Sequence, residues 1–158
     1  MKVRMFMAAV AMMLAATVCA QTEGVNFVEG KTLYEVLQMS KQQGKLAFVD
    51  CYTTWCGPCR KGMKEMESVK DSLTERGVDF VYITNTSSNS KEWLNYVAQH
   101  AGDHYIVPKD KMKSMQIPDF KDAIPHYLIY DRDGKLIKAI TGWNGVESMM
   151  QEFDNIQK

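Results

Sequence analysis

The chain has 158 residues, 46% of them apolar, 24% charged and 10% aromatic, and its 19 basic residues balance its 19 acidic ones. That length holds one compact domain with a real core and is too short for two. Neutrality removes the basic surplus that nucleic-acid binding requires, and the apolar content without a short repeat excludes disorder, collagen and coiled coil.

Residues 1–20 differ from the rest. Lys2 and Arg4 precede an apolar run from Met5, which closes on the small-residue site Val18-Cys19-Ala20 before the polar Gln21-Thr22-Glu23-Gly24. This is the layout of a signal peptide. The run falls short of the roughly 20 residues that cross a bilayer. Acylation of Cys19, which would tether the chain to a membrane, needs a small residue before the cysteine; Val18 stands there, so this is the lesser alternative. The expected organisation is a signal peptide over 1–20 and one domain over 21–158. Without Lys2 and Arg4 the domain carries two more acidic than basic residues, and its cysteines are Cys51, Cys56 and Cys59. An odd number crowded into nine positions is not a disulfide-stapled scaffold. Those cysteines are there for chemistry.

In chain order, Thr32-Leu33-Tyr34-Glu35 reads as a capping box, Leu33, Val36 and Leu37 recur at helical spacing, and Gly44 is placed to close that helix. Leu46 to Tyr52 is a nearly continuous apolar run of strand length, typical of a central strand covered on both faces. Its one charge, Asp50, is therefore expected to be buried, which is costly and asks for a reason. A helix follows from Pro58 to about Arg76, with Met63, Met66, Val69 and Leu73 on one face, Lys and Glu on the other, and Gly77 at its end. Phe80 to Ile83 is the next buried strand, and a helix carrying Trp93, Leu94, Tyr96 and Val97 stops at Gly102. Tyr105 to Val107 suits a short strand and Met112 to Phe120 a short helix. His126 to Tyr130, the turn Asp131-Arg132-Asp133-Gly134 and Lys135 to Thr141 form a hairpin, and Val146 to about Ile156 a last helix. This alternation implies an α/β domain: a mixed central sheet with parallel central strands and helices on both faces.

The strongest signal is Trp55-Cys56-Gly57-Pro58-Cys59, a Cys-x-x-Cys between a strand and a helix. Residues i and i+3 lie on one side of a helical turn, so the two sulfurs can bridge. At the helix N-terminus, unpaired N–H groups and the macrodipole favour a Cys56 thiolate. A thiol lowered from about 8.5 to about 7 goes from roughly 3% to half ionised at pH 7. Cys59, further into the helix, is expected to be more buried. The reaction these residues suit is two-electron dithiol–disulfide exchange. A purely structural bridge is weak, because so small a ring gains only about 2 kcal/mol in the chain-entropy model. A zinc site recruiting His100 and His104 lacks a second Cys-x-x-Cys, and Gly102 separates the histidines. No metal or bound cofactor is expected.

These residues resemble the thioredoxin superfamily. Phe48-Val49-Asp50, four residues, then Trp55-Cys56-Gly57-Pro58-Cys59 is similar to that family's active-site strand and loop. Ile124-Pro125 is similar to its cis-proline loop, and Gly142 to a glycine after the last strand. The match spans about Lys45 to Ile156. Cys59-Arg60-Lys61 and the long segment from Thr84 to Pro125, an insertion before the cis-proline loop, look most like the extracytoplasmic TlpA/ResA-type oxidoreductases. The resemblance implies a thioredoxin fold, Cys56 as attacking cysteine, Cys59 as resolving cysteine, and Asp50 as the buried carboxylate exchanging protons with Cys59. It implies a substrate groove at Trp55, Gly57, Pro58, Ile124 and a cis Pro125, with Trp55 shielding the disulfide.

The implied function is an extracytoplasmic, bacterial periplasmic reductase of disulfides in exported proteins, recharged by a membrane thiol-electron donor. Its roles would be redox homeostasis or cytochrome c maturation, with a monomer favoured and no nucleic-acid partner. The alternative is a thioredoxin-fold module that binds peptides without turnover; a peroxidase lacks a separate peroxidatic cysteine. Cys51, on the face opposite Asp50, reads as a buried core residue. His126 suits either the substrate groove or an apolar strand edge. Asn85-Thr86-Ser87 is a glycosylation sequon of a kind common by chance, and the helical methionines are core.

Overall fold

A computed structural model describes residues 25–158 apart from 41 and 43. The expected signal peptide and the cleavage site lie outside the described residues. Six strands, β1 (Val25–Phe27), β2 (Leu46–Cys51), β3 (Val78–Asn85), β4 (Asp103–Val107), β5 (His126–Tyr130) and β6 (Leu136–Thr141), form one sheet in the order β1-β4-β3-β2-β5-β6. The first four pair in parallel, and β5 and β6 are antiparallel to their neighbours. The mixed α/β sheet is as expected, and so is the β5–β6 hairpin.

The α-helices among the described residues are α1 (Leu33–Met39), α2 (Gly57–Glu75), α3 (Ser90–Gln99) and α4 (Val146–Ile156). Alternation along β2 and β3 divides the core. Ala47, Val49, Cys51, Val81 and Ile83 pack with α1 and with Met112 and Met115. Leu46, Phe48, Phe80 and Tyr82 pack on the other face with Met63 and Met66 of α2, Trp93 of α3 and Phe153 of α4. β2 is thus buried along its whole length, as its apolar run predicts.

Several boundaries differ from expectation. α1 has the capping box at Thr32 and Glu35 but ends at Met39, not at Gly44. The Ser40 hydroxyl and the Gln42 amide both donate to the Leu37 carbonyl, at 3.0 and 2.7 Å, and so compete for the helix's last acceptors. α3 likewise stops at Gln99, before Gly102. Gly102 serves a different need: its φ is +142°, and a Cβ there would stand 2.6 Å from the Phe80 carbonyl oxygen. The expected helix from Met112 to Phe120 is a 3-10 helix over Lys109–Met115, after which Gln116, Asp119 and Asp122 take left-handed conformations. Strand β1 was not expected, three residues being too short for periodicity to show.

Candidate active site

β2 delivers the chain to the C-terminal edge of the sheet, where the loop 52–55 leads into α2. That loop is pinned by side chains from the end of β3. Thr84 Oγ1 donates to the Tyr52 carbonyl at 2.8 Å, Thr54 N–H donates to Ser88 Oγ at 3.1 Å, and Asn89 N–H donates to Thr54 Oγ1 at 3.1 Å. Because the Thr84 proton is committed to Tyr52, the 2.7 Å contact between Thr84 and Ser88 is donated by Ser88. Both threonines and Ser88 are buried, so these bonds form away from competing water.

Cys56 caps α2, its Sγ accepting from Cys59 N–H at 3.2 Å. The two sulfurs are bonded at 2.00 Å across a Cα–Cα distance of 5.3 Å. Cys56 retains 5% exposure and Cys59 none, the asymmetry expected of an outer and an inner sulfur. Trp55 beside them is 64% exposed, and its Nε1 donates to Ser87 Oγ at 3.2 Å. Its indole is held against the β3–α3 loop. Pro58 lies in the first turn of α2, where its missing N–H removes no helical bond.

Asp50 is 2% exposed, and its Oδ1 has no hydrogen-bond partner among the described residues. Burial pushes its carboxyl up to about 8, against the pull of the Lys70 ammonium. Lys70 is itself buried. Its Nζ donates to Tyr82 Oη at 2.8 Å and to Glu67 Oε1 at 3.1 Å, and lies 5.0 Å from the ring centres of both Phe80 and Tyr82. Burial lowers the ammonium pKa, with Glu67 and Asp50 opposing. Glu67 Oε1 also lies 2.7 Å from His100 Nδ1. Burial raises the Glu67 carboxyl pKa, but the bonds from His100 and Lys70 outweigh it and leave it lowered. A carboxylate, an ammonium and an imidazole thus line up from the interior beside Tyr82 to the rim of α2.

Lys70 is the residue that the reading of helix faces misplaced. It sits in the buried stripe of α2 with Met63, Met66 and Leu73, whereas Val69, expected there, is only half-buried. Its position four residues after Met66 and three before Leu73 was the available signal.

The peptide bond Ile124-Pro125 is cis, as expected, and the Pro125 carbonyl accepts from Gly142 N–H at 2.8 Å. The expected groove residues divide. Trp55 and Ile124 share the wall of a cavity of about 370 Å³ reaching Cys51 and Phe120. Gly57 borders a separate groove lined by α2 and the end of α3. Cys51 is 1% exposed and unpaired on the α1 face, and burial pushes its thiol pKa up. His126 is buried at the start of β5, between Cys51 of β2 and Thr141 of β6: its Nε2–H donates to the Pro118 carbonyl at 2.8 Å, and its Nδ1 lies 2.9 Å from Thr141 Oγ1. His104 donates through Nε2 to the His100 carbonyl at 2.6 Å, and burial pushes its pKa down to about 4. Among the described residues no group of three or more His, Cys, Asp or Glu side chains is arranged to hold a metal ion.

Residues 24–156 match the Redoxin family. The chain belongs to the Redoxin family. Among the proteins this chain is similar to is the thiol-disulfide oxidoreductase ResA of Bacillus subtilis (strain 168), 27% identical over 139 residues, which are 87% of this chain and 75% of the relative. A thioredoxin-family thiol:disulfide interchange protein from Chlorobium tepidum TLS superposes with a TM-score of 0.63 at 21% identity, covering 74% of this chain and 83% of that one. StoA from Bacillus subtilis gives 0.52 at 19%, covering 69% and 82%. This redoxin has the thioredoxin fold and is of the ResA type. With its bonded Cys56–Cys59 pair it is a thiol–disulfide oxidoreductase.

Proposed function

We propose that this redoxin is an extracytoplasmic reductase of protein disulfides in exported proteins, recharged by a membrane-embedded dithiol donor. Cytochrome c maturation and redox homeostasis are the roles it would serve. The observation that carries the reading is the asymmetry of the sulfurs, one outer and one wholly buried, on the N-terminus of α2. The leader-like residues 1–20 support export. Among the described residues no helix is long and apolar enough to cross a membrane.

In the reduced protein the Cys56 thiolate attacks one sulfur of the client disulfide. A Cys56–client disulfide forms and the other client sulfur leaves as a thiolate, taking a proton from water. Cys59 then gives its proton to the Asp50 carboxylate and attacks Cys56, restoring the bond seen here and releasing the second client sulfur. Two electrons pass from the Cys56–Cys59 dithiol to the client. A carboxyl raised to about 8 by burial is matched to such a transfer, because its proton affinity is close to that of a thiol. Trp55, Gly57, Pro58, Ile124 and Pro125 frame the approach to Cys56.

Insulin reduction with dithiothreitol tests the reading. Cys56→Ser should abolish catalysis, and Cys59→Ser should accumulate client proteins as mixed disulfides on Cys56. A Cys56→Ser protein that keeps the same partners and a wild type without turnover would make the chain a peptide-binding module instead.

A further inference from the structure

Arg60, Lys61 and Lys64 project from the exposed face of α2 immediately after Cys59. Elsewhere Lys45 pairs with Asp79, Lys70 with Glu67, Arg76 with Asp154 and Lys138 with Glu152. Lys61 has a long 3.7 Å pairing with Glu65. Arg60 and Lys64, one helical turn apart, have no carboxylate within 4 Å among the described residues. They flank an open groove of about 810 Å³ that begins at Gly57, inside the Cys-x-x-Cys loop, and has Tyr96 and His100 on its far side. Glu67 also borders it, but that carboxylate is occupied by Lys70 and His100. Glu92 of α3 is the other acidic side chain near Tyr96. On a chain with as many acidic as basic residues in all, this is a local positive surface on the helix that carries the reacting sulfurs.

We infer that the groove along Arg60 and Lys64 receives an acidic segment flanking the client's disulfide, so that the enzyme selects clients by charge. The inference rests on the oxidoreductase reading and adds the chemistry of the client. Charge complementarity is the argument for this occupant: two cations without carboxylate partners, on the walls of a groove that begins at Gly57, raise the encounter rate of an anionic segment and oppose a cationic one. The cavity walled by Trp55 and Ile124 is separate from this groove.

Two synthetic peptides decide it. They carry the same single disulfide, flanked by glutamates in one and by lysines in the other. At low ionic strength the wild type should reduce the acidic peptide with a kcat/KM about tenfold above that for the basic one, and the ratio should fall toward one in about 0.5 M salt. The double variant R60E/K64E should invert the ratio. A ratio insensitive to salt and to the double variant overturns the inference while leaving the reductase reading intact. An acidic peptide with serines in place of its cysteines separates docking from turnover: NMR shifts along α2 that vanish in R60E/K64E support the groove even if neither disulfide peptide is reduced, which would count against the reductase reading alone. No shift along α2 overturns the groove. Adsorption of the wild type to anionic phospholipid vesicles, without discrimination between peptides, would overturn it in favour of a lipid surface.

Discussion

Lys70 donates to Tyr82 Oη at 2.8 Å from inside the apolar stripe of α2, on the sheet face where Tyr82 is the register partner of Asp50. A lysine is rarely buried without a partner, and this one is held by an aromatic hydroxyl, a carboxylate and two ring faces. Its charge is what restrains the rise of the Asp50 pKa.

Lys70→Met keeps the stem and removes that charge. The Asp50 carboxyl should then titrate above its present value of about 8. NMR titration of the Asp50 carboxyl carbon in the reduced protein reads this directly, and the alkaline limb of the insulin-reduction profile should move the same way. An unmoved titration in a folded Lys70→Met protein would uncouple the two groups.

Asp50→Asn should stabilise the fold in a pH-dependent way. The folded-state pKa is raised from 3.8 to about 8, so between those values the folded protein holds a proton that the unfolded chain has lost. Stability of the wild type therefore falls as pH rises through this window, and the asparagine variant escapes the loss. The difference should be near zero at pH 4 and on the order of 4 kcal/mol at pH 7, measured by urea unfolding. Turnover should drop in the same variant.

Gly62→Ala should destabilise although alanine favours helix. A Cβ at Gly62 would stand 2.5 Å from Tyr127 Oη and 3.0 Å from the Trp143 ring, both rigid groups. Overpacking of this kind costs about 1–3 kcal/mol, against a propensity gain of about 1. Gly57→Ala, where nothing lies within 4 Å, is the control: its thermal midpoint should not fall.

Cys51 should resist modification. After reduction with dithiothreitol, iodoacetamide should label Cys56 in the native protein and reach Cys51 only after unfolding, because that thiol is 1% exposed and burial holds it protonated. Peptide mass spectrometry of the two samples shows which sulfur carries the label.

The redox potential tests the direction of electron flow. Gly57-Pro58 is the dipeptide of reducing thioredoxins, whose potential is near −270 mV, and a dithiothreitol titration of Cys56 and Cys59 should fall at or below about −250 mV. A value near −120 mV would mark an oxidant.

Much of this site can be read along the chain because it is local. Cys56 and Cys59 are one turn apart, Asp50 stands out as the single charge in an apolar strand, and Ile124-Pro125 precedes a recognisable hairpin. Capping at Thr32, the β2 run and the length of α2 follow from neighbours within four residues, so pattern alone reveals them. Lys70 shows where this stops. Its burial depends on Tyr82, twelve positions away, and a helical pattern carries no record of a partner on another strand. The anchoring of Thr54 by Ser88 spans 34 positions, the sorting of Trp55 and Ile124 into one cavity spans the whole crossover, and the early end of α1 turns on which carbonyl Ser40 and Gln42 capture. In each case the free energy lies in a contact formed only once the sheet has brought distant segments together, so the order of residues names the reacting atoms and the packed fold sets the surroundings that tune them.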